Sequence, residues 1–333
     1  MIVFTCGGTG GHISPALNLA DKINESITFI GGDRLEKLMI KNYDFICLPS
    51  LKRDLFNIVI SMFKARTILK KLKPKFIVST GGYVTLPVGV AAISLGLPII
   101  LLEQNSIPGK TNRFLAKFAK VIFTGYPITS FSKKKTIFSG NPVAQTIKGK
   151  KTKLLVFGGS QGSKAINELI ADNLTAISSL GLDIVWLTGE KTYPEIIEKI
   201  KAKKIADNLY QVTEIKLEIY PFRNDMPELL ACTKIAISRS GAMSISELTE
   251  NGIPSLYIPY PYATNNHQVF NAKFIVENNG GEMILEKSLN KDNLLETLNK
   301  LNTNSKKYQS ALNKLPNNAS GIIIDTLKEK GYL

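Results

Sequence analysis

Residues 1–12 read MIVFTCGGTGGH, and residues 154–163 read LLVFGGSQGS. In each stretch a short run of apolar and β-branched residues leads into a glycine-rich turn. A buried strand followed by such a turn is typical of the first βα unit of a doubly wound parallel sheet. Because the pattern occurs once in each half of the chain, the sequence predicts two domains of related architecture.

Further apolar runs alternate with longer amphipathic stretches, which is the rhythm of βαβ units. The predicted strands are Ile2–Cys6, Thr28–Gly31, Phe45–Leu48, Phe76–Thr80, Pro98–Leu102, Val121–Thr124, Leu154–Phe157, Ile184–Leu187, Ile235–Ser238 and Ser255–Ile258. A Lys-rich turn at 148–153 divides this series. We therefore predict an α/β fold with two Rossmann-like parallel sheets, in domains 1–150 and 151–315, and a terminal helix in 316–333 that packs back on the first domain.

The composition, 44% hydrophobic and 21% charged residues, is that of a soluble globular protein. The N-terminus lacks the pattern of a secretory signal, and no apolar run reaches the about 18 residues of a membrane helix. Cys6, Cys47 and Cys232 are odd in number and far apart. This spacing fits neither a disulfide framework nor a zinc site and favours buried, reduced thiols in the cytoplasm.

The net charge of +15 is concentrated in one half of the chain. Residues 1–150 contain 21 Lys and Arg against 7 Asp and Glu, whereas residues 151–333 contain 21 against 20. Such asymmetry suggests that the first half faces a polyanion, either nucleic acid or an anionic membrane surface. No nucleic-acid-binding signature accompanies the charge, so we expect a membrane surface and no nucleic acid, with a basic nucleic-acid-binding protein as the alternative.

Residues 55–69 can form a helix with two apolar rows. One apolar row is enough to pack the helix on a protein core. The second row, Phe56, Ile60 and Phe63, therefore indicates contact with another apolar partner. Lys and Arg residues surround this segment, and apolar insertion ringed by cations is typical of an interfacial membrane helix. A helix buried on all sides is the alternative.

The glycine turns at 7–12 and 158–163 match neither of the common nucleotide fingerprints. Ile13 stands where G-x-G-x-x-G needs its third glycine, and Ser163 stands where a P-loop needs glycine. A glycine turn at a helix start still favours an anionic ligand, although each turn alone could be purely structural. The segment 238–247, with hydroxyls, free amides and the Glu247 carboxylate, suits a diphosphate and a ribose diol. His12 and His267 are the only histidines, and both lie in polar segments.

Seven motifs occur in one order along the chain: GGTGGH (7–12), GGYV (81–84), EQN (103–105), GNPV (140–143), GGSQGS (158–163), SRSGAMSISE (238–247) and HQ-x-x-NA (267–272). Together they resemble the MurG family of bacterial N-acetylglucosaminyltransferases over essentially the whole length. The resemblance implies a GT-B fold, two Rossmann-like domains facing a cleft. It also implies transfer of N-acetylglucosamine, with inversion, from UDP-N-acetylglucosamine to the 4-hydroxyl of the muramyl sugar of lipid I, which gives lipid II for peptidoglycan synthesis. The protein would then be peripheral at the cytoplasmic face of the cell membrane.

The resemblance also implies functional residues. His12 would be the catalytic base, Glu247 would hold the ribose and Gln268 the sugar. The donor-binding residues would be Thr9, Gly10, Gly11, Asn105, Ser160, Arg223, Ala242, Met243, Ser244, Ile245, Ser246, Glu247 and Gln268. Gln161, Ser240 and His267 would make secondary contacts to the sugar or diphosphate. Two positions depart from the family: Ala144 replaces an arginine, and Arg223 replaces an apolar residue near the uracil.

No Asp-x-Asp motif occurs in the sequence. The usual carboxylate pair for a metal-held diphosphate is therefore missing, and we expect no cofactor and no obligatory metal. A UDP-N-acetylglucosamine epimerase or another GT-B glycosyltransferase would share the fold and the donor chemistry, so both remain alternatives.

Overall fold

The computed structural model describes residues 1–48, 55–159 and 161–333, and of residues 55 and 56 only the backbone. The chain forms two compact units. The first contains Met1–Val143 together with Pro316–Leu333, and the second contains Ala144–Leu315.

The first unit contains a seven-stranded sheet in the order β3-β2-β1-β4-β5-β6-β7, in which every neighbouring pair is parallel. Its strands are β1 Ile2–Thr5, β2 Ile27–Gly31, β3 Asp44–Cys47, β4 Ile77–Ser79, β5 Ile99–Glu103, β6 Val121–Thr124 and β7 Thr136–Phe138. Its first five helices are α1 Gly10–Ala20, α2 Leu35–Met39, α3 Leu55–Leu72, α4 Thr85–Ser94 and α5 Lys110–Leu115. The strand order reverses between β1 and β4, so the loops after these two strands lie side by side where ligands bind in such sheets.

The second unit contains an eight-stranded sheet in the order β10-β11-β12-β9-β8-β13-β14-β15. Its strands are β8 Lys153–Phe157, β9 Asp183–Leu187, β10 Lys203–Ala206, β11 Leu209–Val212, β12 Ile215–Tyr220, β13 Thr233–Ser238, β14 Ser255–Tyr257 and β15 Gly281–Met283. Its helices are α6 Lys164–Ser178, α7 Tyr193–Lys199, α8 Met226–Cys232, α9 Ala242–Glu250, α10 His267–Glu277, α11 Lys291–Thr303 and α12 Ser305–Leu312. The order reverses between β8 and β13, which brings together the loops that begin at Gly158 and Arg239.

The predicted α/β class with two parallel sheets is confirmed, and each predicted strand is present within a few residues. Strands β7, β10, β11, β12 and β15 were not predicted. The segment 203–220 forms an antiparallel meander of β10, β11 and β12, and its many charged residues conceal the strand pattern. The prediction of buried thiols is wrong for Cys47, which is exposed, because it ends the edge strand β3.

The last helix, α13 Ala319–Glu329, belongs to the first unit. Ile323 and Leu327 are fully buried in the same apolar cluster as α1 and one face of the first sheet. The other face of that sheet packs against α3, α4 and α5. The terminal helix therefore completes a core that the first 143 residues leave open.

Leu327→Ala should lower the free energy of unfolding of the first unit by about 2–5 kcal/mol, because it leaves a cavity in a fully packed cluster. Urea unfolding followed by circular dichroism would measure the loss. Lys328→Ala, one residue on and exposed, is the matched control and should change little. Equal stability of the two variants would show that α13 contributes little to this core.

Candidate active site

The loop Gly7–Thr9 joins β1 to α1 at the reversal point of the first sheet. Thr9 has an extended backbone and makes no side-chain cap bond to α1. A Cβ on Gly10 would meet no atom within 4 Å, so space is open beside the first turn of the helix. Exposed amide groups at a helix N-terminus favour an anionic group, which is the chemistry expected of Thr9, Gly10 and Gly11.

The His12 ring is half-buried in the first turn of α1. Its Nδ1 lies 2.9 Å from Oε1 of Gln104, which follows β5. The His12 carbonyl oxygen accepts a hydrogen bond from the Thr80 hydroxyl at 2.7 Å. Three neighbouring strands thus contribute to the position of the imidazole.

Glu103 organises the loop that carries Asn105. Its carboxylate is buried and accepts hydrogen bonds from the Asn105 amide at 3.0 Å, the Gly109 amide at 3.1 Å and the Asn112 side chain at 2.9 Å. Burial raises the pKa of Glu103, and these hydrogen bonds and the nearby His12 act in the opposite direction. The carboxylate is therefore turned into the loop, and it fixes the backbone that presents Asn105.

Glu36 of α2 hydrogen-bonds the main chain of the glycine loop, a role that the sequence motifs did not reveal. It is 1% exposed, and its Oε1 accepts a hydrogen bond from the Gly8 amide at 2.7 Å. Burial, with the Glu36 charge as a smaller cause, strongly raises the pKa of the neighbouring Cys6 thiol. Cys6 is thus a protonated core residue and not a nucleophile.

A cavity of about 610 Å³ lies at the reversal point of the second sheet. The loop before α6 lines one side, including Gln161, and the other side is lined by Arg239, Gly241, Ser244, Tyr260, Gln268 and Glu286. The Gln268 Oε1 accepts a hydrogen bond from the Tyr260 amide at 2.9 Å, which holds Gln268 against the loop after β14. Three of the predicted site residues, Gln161, Ser244 and Gln268, therefore share one cavity.

Arg239 is a second residue to which the sequence assigned no role. The residue is 9% exposed, and its guanidinium donates to the carbonyls of Ile258 and Pro259, both at 3.1 Å. It also pairs with Glu286 at 2.5 Å. Arg239 thus holds the loop after β14 to the loop after β13.

The helix α9 presents the remaining predicted residues in different ways. Ala242 and Ile245 are buried side chains, so only their backbone groups could contact a ligand. The Ser246 hydroxyl donates to the Ala242 carbonyl at 2.9 Å. The Ser240 hydroxyl is buried and has no hydrogen-bond partner among the residues that the structure describes. Met243 is half-buried.

Glu247 on α9 is half-buried, and desolvation of its carboxylate raises its pKa to about 7. In contrast to Glu103, no donor within the described part of the chain hydrogen-bonds this carboxylate. A desolvated acceptor without a donor is suited to a ligand that brings its own hydroxyl groups.

Arg223 lies in a charged cluster at the end of β12. Its Nε donates to Asp225 at 2.8 Å, its Nη1 lies 3.7 Å from Glu218, and its guanidinium stacks on Tyr220 at 4.8 Å. The hydrogen bond from Arg223 lowers the pKa of Asp225. The predicted donor contact by Arg223 would have to compete with these internal partners.

The other predicted residues are only partly constrained. The His267 Nδ1 lies 2.8 Å from the Thr264 carbonyl, so this ring closes a turn at the start of α10. Ser160 lies outside the described residues.

Within the part of the chain that the structure describes, no cluster of His, Cys, Asp or Glu could hold a metal ion. No helix in that part is long and apolar enough to cross a membrane.

With this geometry in view, comparison with known proteins defines the class. Residues 2–124 match the glycosyltransferase family 28 N-terminal domain, and residues 153–324 match the glycosyltransferase family 28 C-terminal domain. The chain belongs to glycosyltransferase family 28.

Individual relatives agree with this assignment. The chain is 33% identical to a UDP-N-acetylglucosamine–N-acetylmuramyl-(pentapeptide) pyrophosphoryl-undecaprenol N-acetylglucosamine transferase of Bacillus cytotoxicus, over 93% of this chain and 92% of the relative. The crystal structure of Acinetobacter baumannii MurG superposes with a TM-score of 0.80 at 25% identity, over 98% of this chain and 99% of the other. The UDP-GlcNAc 2-epimerase of Neisseria meningitidis shares the fold, with a TM-score of 0.68 at 14% identity over 98% and 99% of the chains. The predicted GT-B fold and the predicted family are confirmed.

Gly82 provides a test of how tightly the loops of the first unit are packed. Its φ is +95°, and a Cβ there would lie 2.1 Å from the Gly7 carbonyl oxygen. Gly96 also has a positive φ, +67°, but a Cβ there would meet nothing within 4 Å. The two glycines share the backbone strain and differ in the close contact.

Gly82→Ala should therefore be less stable than Gly96→Ala by about 2–3 kcal/mol, because only the first must displace a neighbouring main chain. Urea unfolding of both variants beside the parent protein gives the difference. Similar losses in the two variants would mean that the Gly7 loop can shift at little cost.

Proposed function

We propose that this chain transfers N-acetylglucosamine from UDP-N-acetylglucosamine to the 4-hydroxyl of the muramyl sugar of lipid I, an undecaprenyl-pyrophosphoryl-linked acceptor, with inversion. The observation that carries the proposal is the 33% identity over 93% of the chain to a relative named for this transfer. Two sites of suitable chemistry, one in each unit, support it.

The cavity of the second unit is proposed to bind the donor. The helices α6 and α9 both begin beside it, and their N-terminal amide groups suit the two phosphates of UDP. Gln268 offers amide groups for sugar hydroxyls at the same cavity. These helix termini would stabilise the leaving diphosphate, so we also propose that the transfer needs no metal and continues in the presence of EDTA.

Glu247 is proposed to bind the ribose. A diol donates two hydrogen bonds, and the Glu247 carboxylate has none from the described residues in the free protein. Binding through these donors favours the ionised acid, whereas burial in the free protein disfavours it.

His12 is proposed to be the general base. Sugar transfer with inversion needs a group that takes the proton of the acceptor hydroxyl, and an imidazole can do so near neutral pH. In the first unit it lies beside the open helix N-terminus of α1.

We propose that the first unit docks on an anionic membrane at the cytoplasmic face. On α3, Phe63 is 69% exposed and Val59 is 40% exposed, one helical turn apart. Phe114 and Phe118 are also exposed, and the centroids of their rings lie 5.5 Å apart. Exposed cations flank these side chains: Lys64, Lys70, Lys71, Lys110, Arg113, Lys117 and Lys120. Ile60 is half-buried, and the side chain of Phe56 lies outside the described residues.

The alternatives predict different products from the same donor. An epimerase would consume UDP-N-acetylglucosamine without a lipid acceptor, and a nucleic-acid-binding protein would not consume it at all. The purified protein should therefore be incubated with labelled UDP-N-acetylglucosamine in the presence and absence of lipid I. We expect label in the lipid fraction only when lipid I is present, and conversion of the donor without lipid I would favour the epimerase.

Donor affinity should depend on pH through Glu247. Its pKa of about 7 means that the acid is mostly protonated at pH 6 and mostly ionised at pH 8. Since the diol binds the ionised form, the Kd for UDP-N-acetylglucosamine should rise about tenfold from pH 8 to pH 6. Calorimetry at both pH values would measure this change.

Glu247→Gln should bind the donor more weakly at pH 8 and should lose this part of the pH dependence. Any titration of the phosphates is common to all variants and cancels in the comparison. Glu228→Gln, an exposed acid on α8, is the matched control and should titrate like the parent protein. A pH dependence that survives in Glu247→Gln would assign it to another group.

The double substitution Phe63→Asp and Phe114→Asp should weaken binding to phosphatidylglycerol vesicles by about tenfold or more, since apolar insertion is lost and negative charge is added. Co-sedimentation measures the bound fraction. Ile205→Asp, at a 52% exposed position of the second unit, should leave binding unchanged. If the folded double variant binds like the parent protein, the membrane contact lies elsewhere.

A further inference from the structure

The hydrogen bond between Gln104 and His12 has a defined direction. Gln104 is 1% exposed, and its Nε2 lies 3.2 Å from the Leu102 carbonyl oxygen. That carbonyl can only accept, so the amide nitrogen must face it, and Oε1 must face His12. The opposite amide orientation would place the Gln104 side-chain oxygen against the Leu102 carbonyl oxygen and lose this hydrogen bond.

The direction of this bond fixes the tautomer of His12. Oε1 can only accept, so the Nδ1 that lies 2.9 Å away must carry a hydrogen. A neutral imidazole has one N–H, and the lone pair is then on Nε2. Within the described residues, Nε2 has no hydrogen-bond partner.

The main-chain carbonyls of His12 and Gln104 are each fixed by a hydrogen bond from a neighbouring side chain. The Thr80 hydroxyl donates to the His12 carbonyl at 2.7 Å, and the Asn141 side chain donates to the Gln104 carbonyl at 3.1 Å. Asn141 is itself buried. The pair is therefore held in place before any ligand binds, as a positioning contact requires.

We propose that Gln104 is a positioning residue that keeps neutral His12 in the Nδ1–H tautomer, so that Nε2 is the atom that takes the proton of the acceptor hydroxyl. This inference rests on the proposed role of His12 as the base. In the step, the acceptor oxygen forms a bond to the anomeric carbon of the donor sugar as the bond from that carbon to the UDP oxygen breaks. UDP leaves with the electron pair, and the hydroxyl proton moves to Nε2, which gives an imidazolium that later returns the proton to water.

The nature of the orienting group distinguishes this site from a carboxylate–histidine pair. The neighbouring acid, Glu103, directs its oxygens to Asn105, Gly109 and Asn112 and makes no hydrogen bond to the ring. Gln104 thus supplies orientation without a second negative charge at the imidazole. The variant Gln104→Glu would keep an acceptor facing the ring when its second oxygen is protonated and donates to the Leu102 carbonyl, as the amide nitrogen does in the parent protein, and Gln104→Ala would remove the acceptor.

The tautomer can be observed directly because the chain has only two histidines. Protein labelled with ¹⁵N in the histidine rings gives two ring patterns in long-range ¹H–¹⁵N spectra, and His267→Gln assigns them. At a pH of about 8.5, where an ordinary histidine is neutral, His12 should show a protonated Nδ1. His267, whose Nδ1 faces the Thr264 carbonyl, should show the same pattern and serves as an internal reference.

Gln104→Ala should shift His12 towards the Nε2–H tautomer and leave His267 unchanged. With lipid I, its kcat should fall about 10–100-fold while the KM for UDP-N-acetylglucosamine stays within a few-fold, because orientation of the base affects the chemical step. Gln104→Glu should restore the Nδ1–H tautomer and keep kcat within about tenfold of the parent protein. Gln211→Ala, an exposed glutamine on β11, should change neither quantity.

The outcomes separate this inference from the proposed function. A wild-type His12 with its hydrogen on Nε2 overturns the inference whatever the activity, and so does unchanged kcat in a Gln104→Ala variant whose tautomer has shifted. If Gln104→Ala does not fold, a kcat in Gln104→Glu as low as that of His12→Ala would overturn it. If the wild-type protein transfers no sugar, the proposed function fails together with the catalytic half of the inference, and the spectra still decide the structural half.

Discussion

The close approach of two main chains at the carboxyl edge of the first sheet is the constraint on which the site depends. The Gly7 carbonyl oxygen occupies the place that a side chain on residue 82 would need. The second unit repeats the device, since a Cβ on Gly162 would lie 2.1 Å from the Thr188 carbonyl oxygen. In the first unit this loop-on-loop packing lies where the strand order reverses, between β1 and β4, and in the second it joins the loops after β8 and β9, next to the reversal. In both units the glycines permit a close approach beside the N-terminus of a helix.

The sequence was sufficient for the parts of the molecule that local patterns determine. Ten of the strands were located because they are apolar runs in βα units, whereas the short strands β7 and β15 and the charged meander at 203–220 were missed. The motif residues Gln161, Ser244 and Gln268 were also located, and the structure places them around one cavity. Glu36, outside every motif, and Arg239, inside SRSGAMSISE, were given no role, because each acts on a loop distant in sequence. Only the folded chain shows which loop such a residue holds.

The carboxylates of Glu103 and Glu247 show how similar chemistry serves different purposes. Glu103 receives three hydrogen bonds from its own loop, so its desolvation is compensated within the protein and the loop is fixed. Glu247 is also desolvated, but the described residues offer it no donor. An uncompensated acceptor costs free energy in the unliganded protein, and a ligand that supplies hydroxyl groups recovers it. The first acid therefore builds the site, and the second is available to bind.

The scarcity of acids in the first unit gives a reason for a neutral partner at His12. Residues 1–150 contain only 7 carboxylates against 21 cations, and the acids nearest the loops, Glu36 and Glu103, direct oxygens at backbone amides. The proposed acceptor and the leaving group both carry phosphates, so a carboxylate at the imidazole would strengthen the base but repel these anions. An amide sets the tautomer through the same hydrogen-bond geometry without that repulsion. The Gln104–His12 contact is thus consistent with an electropositive loop region that must handle two anionic substrates.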